Sequence, residues 1–238
     1  MMPKSLLISA SLLLTAVKSH STTSPQQQQP LQYDRDGPSF DLINELYKAE
    51  IIPTVLDPFK PFLTISAEWG KKSAKIGNTI KPKKLQEQPD LQLRDDLPEF
   101  SAWNDNFTTG VPQLTLALTD PDAKAREDPK WSQMLHWLIT DVNLTHTQNP
   151  TTLGSSNYYT EIFPYKAPSP PPKTGKHRYV FVALAPKNGT TEKLYLSKPK
   201  ARQHWGYGKV RAGVREWAEE NGLETVGANF FYAKDKKQ

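Results

Sequence analysis

A mostly antiparallel β domain, with helices only at its two ends, is the fold class this sequence predicts. Two segments alternate apolar and polar residues at the period of a half-buried strand. Two others are almost wholly apolar over the length of a central strand, as strands covered on both faces are. The 3.6-residue period of an amphipathic helix is confined to the first and last stretches of the domain.

Residues 1–21 spell a secretory signal rather than a structural element. Lys4 supplies the positive charge, Ser5–Val17 is an apolar core of 13 residues, and small side chains allow cleavage after Ser19 or Ser21. Residues 22–38 are polar, with a four-glutamine run, and read as a flexible leader. The remainder, 39–238, reads as a single domain. Ser39 is placed as the N-cap of a short helix carrying Phe40, Ile43, Leu46 and Tyr47, which ends before Pro53.

Strand signals then take over. Pro61–Trp69 alternates Leu63, Ile65, Ala67 and Trp69 with polar residues, and Lys71-Lys72 falls in the hairpin loop that follows. Gln113–Thr119 alternates through Leu114, Leu116 and Leu118, whereas Met134–Val142 and Tyr179–Ala185 are the continuous apolar runs. A closing helix is read over Gly208–Glu220, with Val210, Val214, Trp217 and Ala218 on one face and Asn221-Gly222 as its stop. One core over residues 40–234 accommodates all of these.

Composition removes several classes of function. The chain has 238 residues and no cysteine, so disulfides, thiolate metal sites and cysteine nucleophiles are excluded. No stretch beyond residue 21 approaches the roughly 18 apolar residues of a membrane-spanning helix. The formal charge of +5 falls by two once Lys4 and Lys18 leave with the signal, and acids are interspersed with bases, which is a poor nucleic-acid footprint. G-x-S-x-G, H-E-x-x-H and phosphate-loop motifs are absent, and Gly206-Tyr-Gly208 lacks the spacing of a dinucleotide turn. Three glycosylation sequons, at Asn106, Asn143 and Asn188, agree with a secretory, extracellular or vacuolar location.

The unusual feature is polar chemistry set against apolar strands. His136 interrupts the run Met134–Ile139, His177 precedes the run Tyr179–Ala185, and Asp120 sits where the strand 114–119 ends. Strand ends are where loops gather into a site, and a buried imidazole needs a partner. Three alternatives stay open on these residues alone. They are core histidines bonded to backbone, a metal site, or an anion site in which the aspartate holds the imidazoles protonated.

Taken in order, these segments resemble the phosphatidylethanolamine-binding protein family. Thr119-Asp120-Pro121-Asp122-Ala123 is similar to its T-D-P-D-A-P box, and Leu135–Asp141 to its H-W strand. Pro170-Pro171 with Gly175-Lys176-His177-Arg178-Tyr179-Val180-Phe181 is similar to its third box, and Val226–Phe231 to its last strand. Glu50–Val55 and Gly77-Asn78 resemble the fungal branch that includes an inhibitor of a serine carboxypeptidase. The resemblance implies a large central antiparallel sheet packed by a smaller one, with a short N-terminal helix and a C-terminal helix. It implies an anion pocket at Asp120, His136, His177 and Tyr179 with Ser169 and Pro171 as wall, holding a phosphate or carboxylate and neither metal nor other cofactor. Lys124 departs from the pattern, standing where the family has proline, and Arg126 and Asp128 are expected to pair within their own loop.

The resemblance implies two binding roles, inhibition of a serine carboxypeptidase and recognition of a phospholipid headgroup or similar small anion. Two histidines and an aspartate also have the parts for acid–base catalysis, such as a cyclisation or isomerisation of a small metabolite.

Overall fold

The computed structural model describes residues 38–105, 112–142 and 159–237. The signal, most of the leader, Asn106 and Asn143 lie outside them. The described residues fall within one compact unit, Leu31–Gln238. The elements of the compact unit begin with α1 (Pro38–Lys48), β1 (Thr64–Trp69), β2 (Lys72–Ser73), β3 (Asn78–Thr79), β4 (Asp90–Arg94) and α2 (Glu99–Asn104). They continue with β5 (Leu114–Asp120), β6 (Met134–Val142), β7 (Thr160–Phe163), β8 (His177–Pro186), α3 (Val214–Glu220) and β9 (Leu223–Ala233).

Six strands form a large sheet in the order β3-β9-β8-β5-β6-β7, and three form a small one in the order β2-β1-β4. Every pairing is antiparallel except the edge strand β3, which lies parallel to β9 and so departs from an all-antiparallel sheet. The small sheet covers one face of the large one. Ile65, Ala67 and Trp69 pack there with Leu116, Leu118, Phe181 and Phe231, and the Trp69 ring lies 5.2 Å from that of Phe231. The other face carries α1, the segment after it, and α3. Leu42, Leu46, Ile51, Val214 and Trp217 bury Ala117, Leu138, Val180 and Val182. With both faces covered, β8 is buried along its whole length and reads as a continuous apolar run. β5, which alternates leucine with threonine and reads as half-buried, is buried throughout as well, with Thr115 and Thr119 hydrogen-bonded inside.

Two residues of β9 tie the sheets together. The Val226 carbonyl accepts the N–H groups of Phe62 and Leu63 at 2.8 and 3.1 Å. A Cβ at the adjacent Gly227 would stand 2.7 Å from the Leu63 carbonyl oxygen, so only glycine permits this approach. Asn229 donates from Nδ2 to the Ile65 carbonyl at 2.6 Å and accepts the Phe230 and Ile76 N–H groups on Oδ1 at 2.7 and 3.2 Å.

The structure moves several sequence boundaries. α1 starts at Pro38, so Ser39 lies in its first turn, and its hydroxyl donates to Glu99 Oε2 at 2.9 Å instead of capping. The last helix starts at Val214, not Gly208. Arg211 has φ 73°, outside the helical region, and the Gly213 N–H donates to Glu216 Oε2 at 2.8 Å, which starts the helix there. Val210 is accordingly on the surface, 47% exposed. β8 begins at His177, placing that histidine on the strand. α2, β4 and β7 had no counterpart in the periodicity.

Candidate functional site

The loops leaving β5 and entering β8 meet at one end of the large sheet, and a cavity of about 190 Å³ opens between them. All six residues singled out from the sequence line it: Asp120, His136, Ser169, Pro171, His177 and Tyr179. Asp120 is the last residue of β5, and His177 and Tyr179 project from the start of β8. His136 arrives by a different device. Leu118 pairs with Trp137 and Thr119 with Leu135, so β6 carries one extra residue, His136, as a bulge. A bulge bends its strand and re-aims the inserted side chain.

Backbone partners hold that bulge. The Lys166 N–H donates to the His136 carbonyl at 2.7 Å, and His136 Nδ1 bonds the Lys166 carbonyl at 2.6 Å. Arg202 donates to the carbonyls of Leu135 and His136 at 3.0 and 3.3 Å and to that of Pro164 at 2.7 Å. A carbonyl can only accept, so His136 Nδ1 carries a hydrogen and Nε2 is the nitrogen left for a ligand. Burial pushes the His136 pKa below its ordinary value, an effect that the Asp120 charge and the Lys166 carbonyl only partly offset. His136 is therefore neutral at pH 7, with a lone pair on Nε2.

His177 is the opposite case. The Thr174 hydroxyl donates its one hydrogen to the Pro171 carbonyl at 2.7 Å, so at 3.0 Å from His177 Nε2 it must accept. His177 Nδ1 lies 2.9 Å from Asp120 Oδ2 in a buried pair. Both nitrogens thus donate, as in an imidazolium. Burial alone would lower its pKa, but the hydrogen bond and charge of Asp120, with Asp122 and the Lys124 backbone, outweigh it and raise the value.

Asp120 is the hub. Besides His177 it accepts the Asp122 N–H on Oδ1 at 2.7 Å and bonds the Tyr179 hydroxyl. Burial first, and Asp120 second, push the Tyr179 pKa far up, so that hydroxyl stays a donor. The aspartate thus holds the proton of one imidazole, not of both. Among the described residues no group of three histidine, aspartate or glutamate side chains could hold a metal ion.

Below the cavity, Asp122 and Arg178 form a buried bidentate pair, Nε to Oδ2 at 2.9 Å and Nη2 to Oδ1 at 2.6 Å. Arg178 Nη1 also donates to the carbonyls of Ala49 and Glu50, both at 2.8 Å, fixing the end of α1 to the strand that carries the site.

These features converge with the comparisons. The family model described as phosphatidylethanolamine-binding protein matches residues 70–231. The chain belongs to that family. The carboxypeptidase Y inhibitor of Saccharomyces cerevisiae is 32% identical over 198 residues, 75% of this chain and 87% of the inhibitor. Protein FLOWERING LOCUS T of Arabidopsis thaliana is 28% identical over 195 residues, 82% of this chain and 92% of that protein. The crystal structure of carboxypeptidase Y inhibitor complexed with its cognate proteinase superposes with a TM-score of 0.72 at 30% identity, covering 84% of this chain and 98% of the inhibitor. The phosphatidylethanolamine-binding protein of Plasmodium vivax, with a TM-score of 0.64 at 19% identity and cover of 84% and 99%, shares the fold.

Against the family pattern, Lys124 is accommodated at the cavity mouth, where its ammonium lies 4.1 Å from the Trp131 ring centroid. Asp128 pairs with Lys130 inside the loop at 3.1 Å, as expected, but Arg126 reaches Glu50 at 3.0 Å instead. Thr174, Lys166 and Arg202 escaped the sequence reading. The last two act through or upon main-chain groups, which no side-chain pattern announces.

A larger cleft of about 510 Å³ lies at the other end of β8, about 30 Å away by strand rise. Its floor is apolar, and charges on its rim pair with one another, Arg215 with Asp57 at 3.2 Å and Lys187 with Glu219.

Proposed function

We propose that the protein binds a small oxyanion, a phosphate or carboxylate group, in the cavity bounded by Asp120, His136, His177 and Tyr179, with Ser169 and Pro171 as wall. The observation that carries the proposal is the buried imidazolium His177 beside an imidazole whose Nε2 is left for a ligand. Lys124 and Lys166 add positive charge to the lining. One charge-assisted hydrogen bond from the Lys124 or Lys166 ammonium and one hydrogen bond at His136 Nε2, together about 4 kcal/mol, correspond to a dissociation constant of about 1 mM for the bare anion. A phospholipid headgroup or other phosphate-bearing molecule would gain from contacts of its remainder. Calorimetric titration with inorganic phosphate tests this. Saturable binding that is lost in a folded His136→Ala variant supports the site, and unchanged binding in the variant refutes it.

A second role has its own support. The likeness to a carboxypeptidase Y inhibitor, extending over nearly all of that protein, favours inhibition of a serine carboxypeptidase. The residue 1–21 signal would deliver the chain to the secretory route, extracellular or vacuolar, and Asn188, exposed in the turn after β8, would be a glycan acceptor there. A steady-state inhibition titration with chain starting at His20 or Thr22 tests the inhibitor role. Stoichiometric inhibition supports it, and none at micromolar concentrations removes it.

A further inference from the structure

The two histidines of the cavity are bonded so differently that they cannot play the same part toward a ligand. On His177 both ring nitrogens donate inward, to Asp120 and Thr174, so it contributes positive charge and no free hydrogen bond. On His136 the Lys166 carbonyl fixes the hydrogen on Nδ1, and the nitrogen available to a ligand is an acceptor. Tyr179 and the Asp122 N–H are already directed at Asp120. His136 therefore presents a lone pair to a cavity that the His177 imidazolium, Lys124 and Lys166 also line.

An acceptor in that position repels an oxygen with no hydrogen and welcomes an O–H. Resting on the oxyanion reading above, we propose that the cavity selects inorganic hydrogen phosphate, which keeps a P–O–H group at neutral pH, by accepting that hydrogen on His136 Nε2. Sulfate and phosphodiesters bear no such hydrogen, and a phosphate monoester, with its second pKa at about 6, has lost most of it at neutral pH. Sulfate and diesters enter only when His136 is itself protonated and Nε2 becomes a donor. An intact phospholipid headgroup is a diester, so above neutrality the site distinguishes inorganic phosphate from the lipid, and it loses the distinction once His136 is protonated.

The groups facing His136 determine where that change falls. Asp120 on β5 favours its protonation, and the Lys166 carbonyl does so as well. Burial, the Lys166 ammonium and the Arg202 guanidinium oppose it. Tyr179 on β8, whose ring lies edge-on 5.1 Å away, is neutral, while His177 and Lys124 contribute further positive charge across the cavity. The net effect holds the imidazole neutral to below its ordinary range, so the conversion occurs on the acid side of pH 6.5. His177, whose pKa is raised against burial by the hydrogen bond and charge of Asp120, stays protonated as His136 converts.

The test is a set of calorimetric titrations of the full mature chain at pH 7.5 and pH 5. The probes are inorganic phosphate, phosphoethanolamine, glycerophosphoethanolamine and sulfate. At pH 7.5 phosphate is expected to bind at least about tenfold more tightly than sulfate or the diester, the order expected when one polar group is left unpaired. Once the pH is low enough for His136 to take up its proton, the difference should shrink to within about threefold. Equal binding of phosphate and sulfate at pH 7.5 overturns the proposal while leaving the oxyanion site standing. No binding by any probe at either pH refutes the oxyanion reading itself. His136→Gln should abolish the discrimination. Should that variant misfold, nitrogen-15 spectra of the native histidines decide, since an Nε2–H tautomer for neutral His136 also overturns the proposal.

Discussion

Asp122 and Arg178 are each bonded by the other in a nearly water-free environment, and Arg178 additionally holds two carbonyls at the end of α1. Removing one partner leaves a buried charge without compensation. Asp122→Ala is expected to cost about 3–5 kcal/mol in denaturant unfolding. Arg178→Lys should lose most of that stability too, because an ammonium cannot reproduce the fork that meets both carboxylate oxygens. The histidines give opposite pH signatures. His177, with its folded pKa raised, contributes stability that is fully present below its unfolded value near 6.5 and is lost as pH rises through the folded value. His136, with its folded pKa lowered, contributes stability present above 6.5 and lost as pH falls through the folded value. His177→Gln should therefore flatten the alkaline limb of a stability–pH profile and leave the acid limb in place. At this scale strand placement located Asp120, His136 and His177, which interrupt or flank apolar strands, while Tyr179 followed only from the family resemblance. Their hydrogen-bond directions depend on Thr174, on Lys166 main chain and on a bulge, and none of these leaves a mark in residue spacing.

Strand periodicity succeeded where burial is one-sided or complete. β1 alternates because only one face meets the large sheet, and β6 and β8 are almost continuously apolar because helices and a second sheet cover both faces, while β5 alternates leucine with threonine although both its faces are buried. It failed for β4, β7 and α2, which span four to six residues each. Elements so short carry at most about two and a half periods, and their conformation is imposed by neighbours rather than by their own pattern. The closing helix was read too early because Val210 happens to share the spacing of Val214 and Trp217. Positive φ at Arg211 and the Gly213–Glu216 contact decide the true start. The join between sheets is the most sensitive point among the elements. Gly227→Ala would drive a methyl to 2.7 Å from the Leu63 oxygen, so β1 or β9 must shift. A loss of about 1–3 kcal/mol is expected, read from thermal unfolding, whereas Gly70→Ala, with nothing within 4 Å of its Cβ, should cost less.

The fold places the small cavity lined by Asp120, His136, His177 and Tyr179 at one end of β8 and the larger apolar cleft at the other. The order of the three sequence boxes was enough to indicate the family, because their spacing encodes how β5, β6 and β8 lie side by side. Which surface meets a protease, by contrast, depends on side chains scattered over loops and is not encoded in any run of sequence. Two roles on separate surfaces should be separable. His136→Gln is expected to impair oxyanion binding while leaving any carboxypeptidase inhibition within about twofold, as expected of a protease contact that does not include the cavity. Parallel loss of both activities in a folded variant would show that the cavity takes part in the protease contact.

The most direct measurement is a titration of the histidine side-chain resonances with inorganic phosphate at pH 7, using nitrogen-15-labelled mature chain. The account predicts a neutral His136 with hydrogen on Nδ1, a His177 protonated on both nitrogens, and a saturable shift of His136 Nε2 as phosphate enters. Histidine signals that do not move at phosphate concentrations well above the expected millimolar range would contradict it and leave the cavity an inherited feature of the fold.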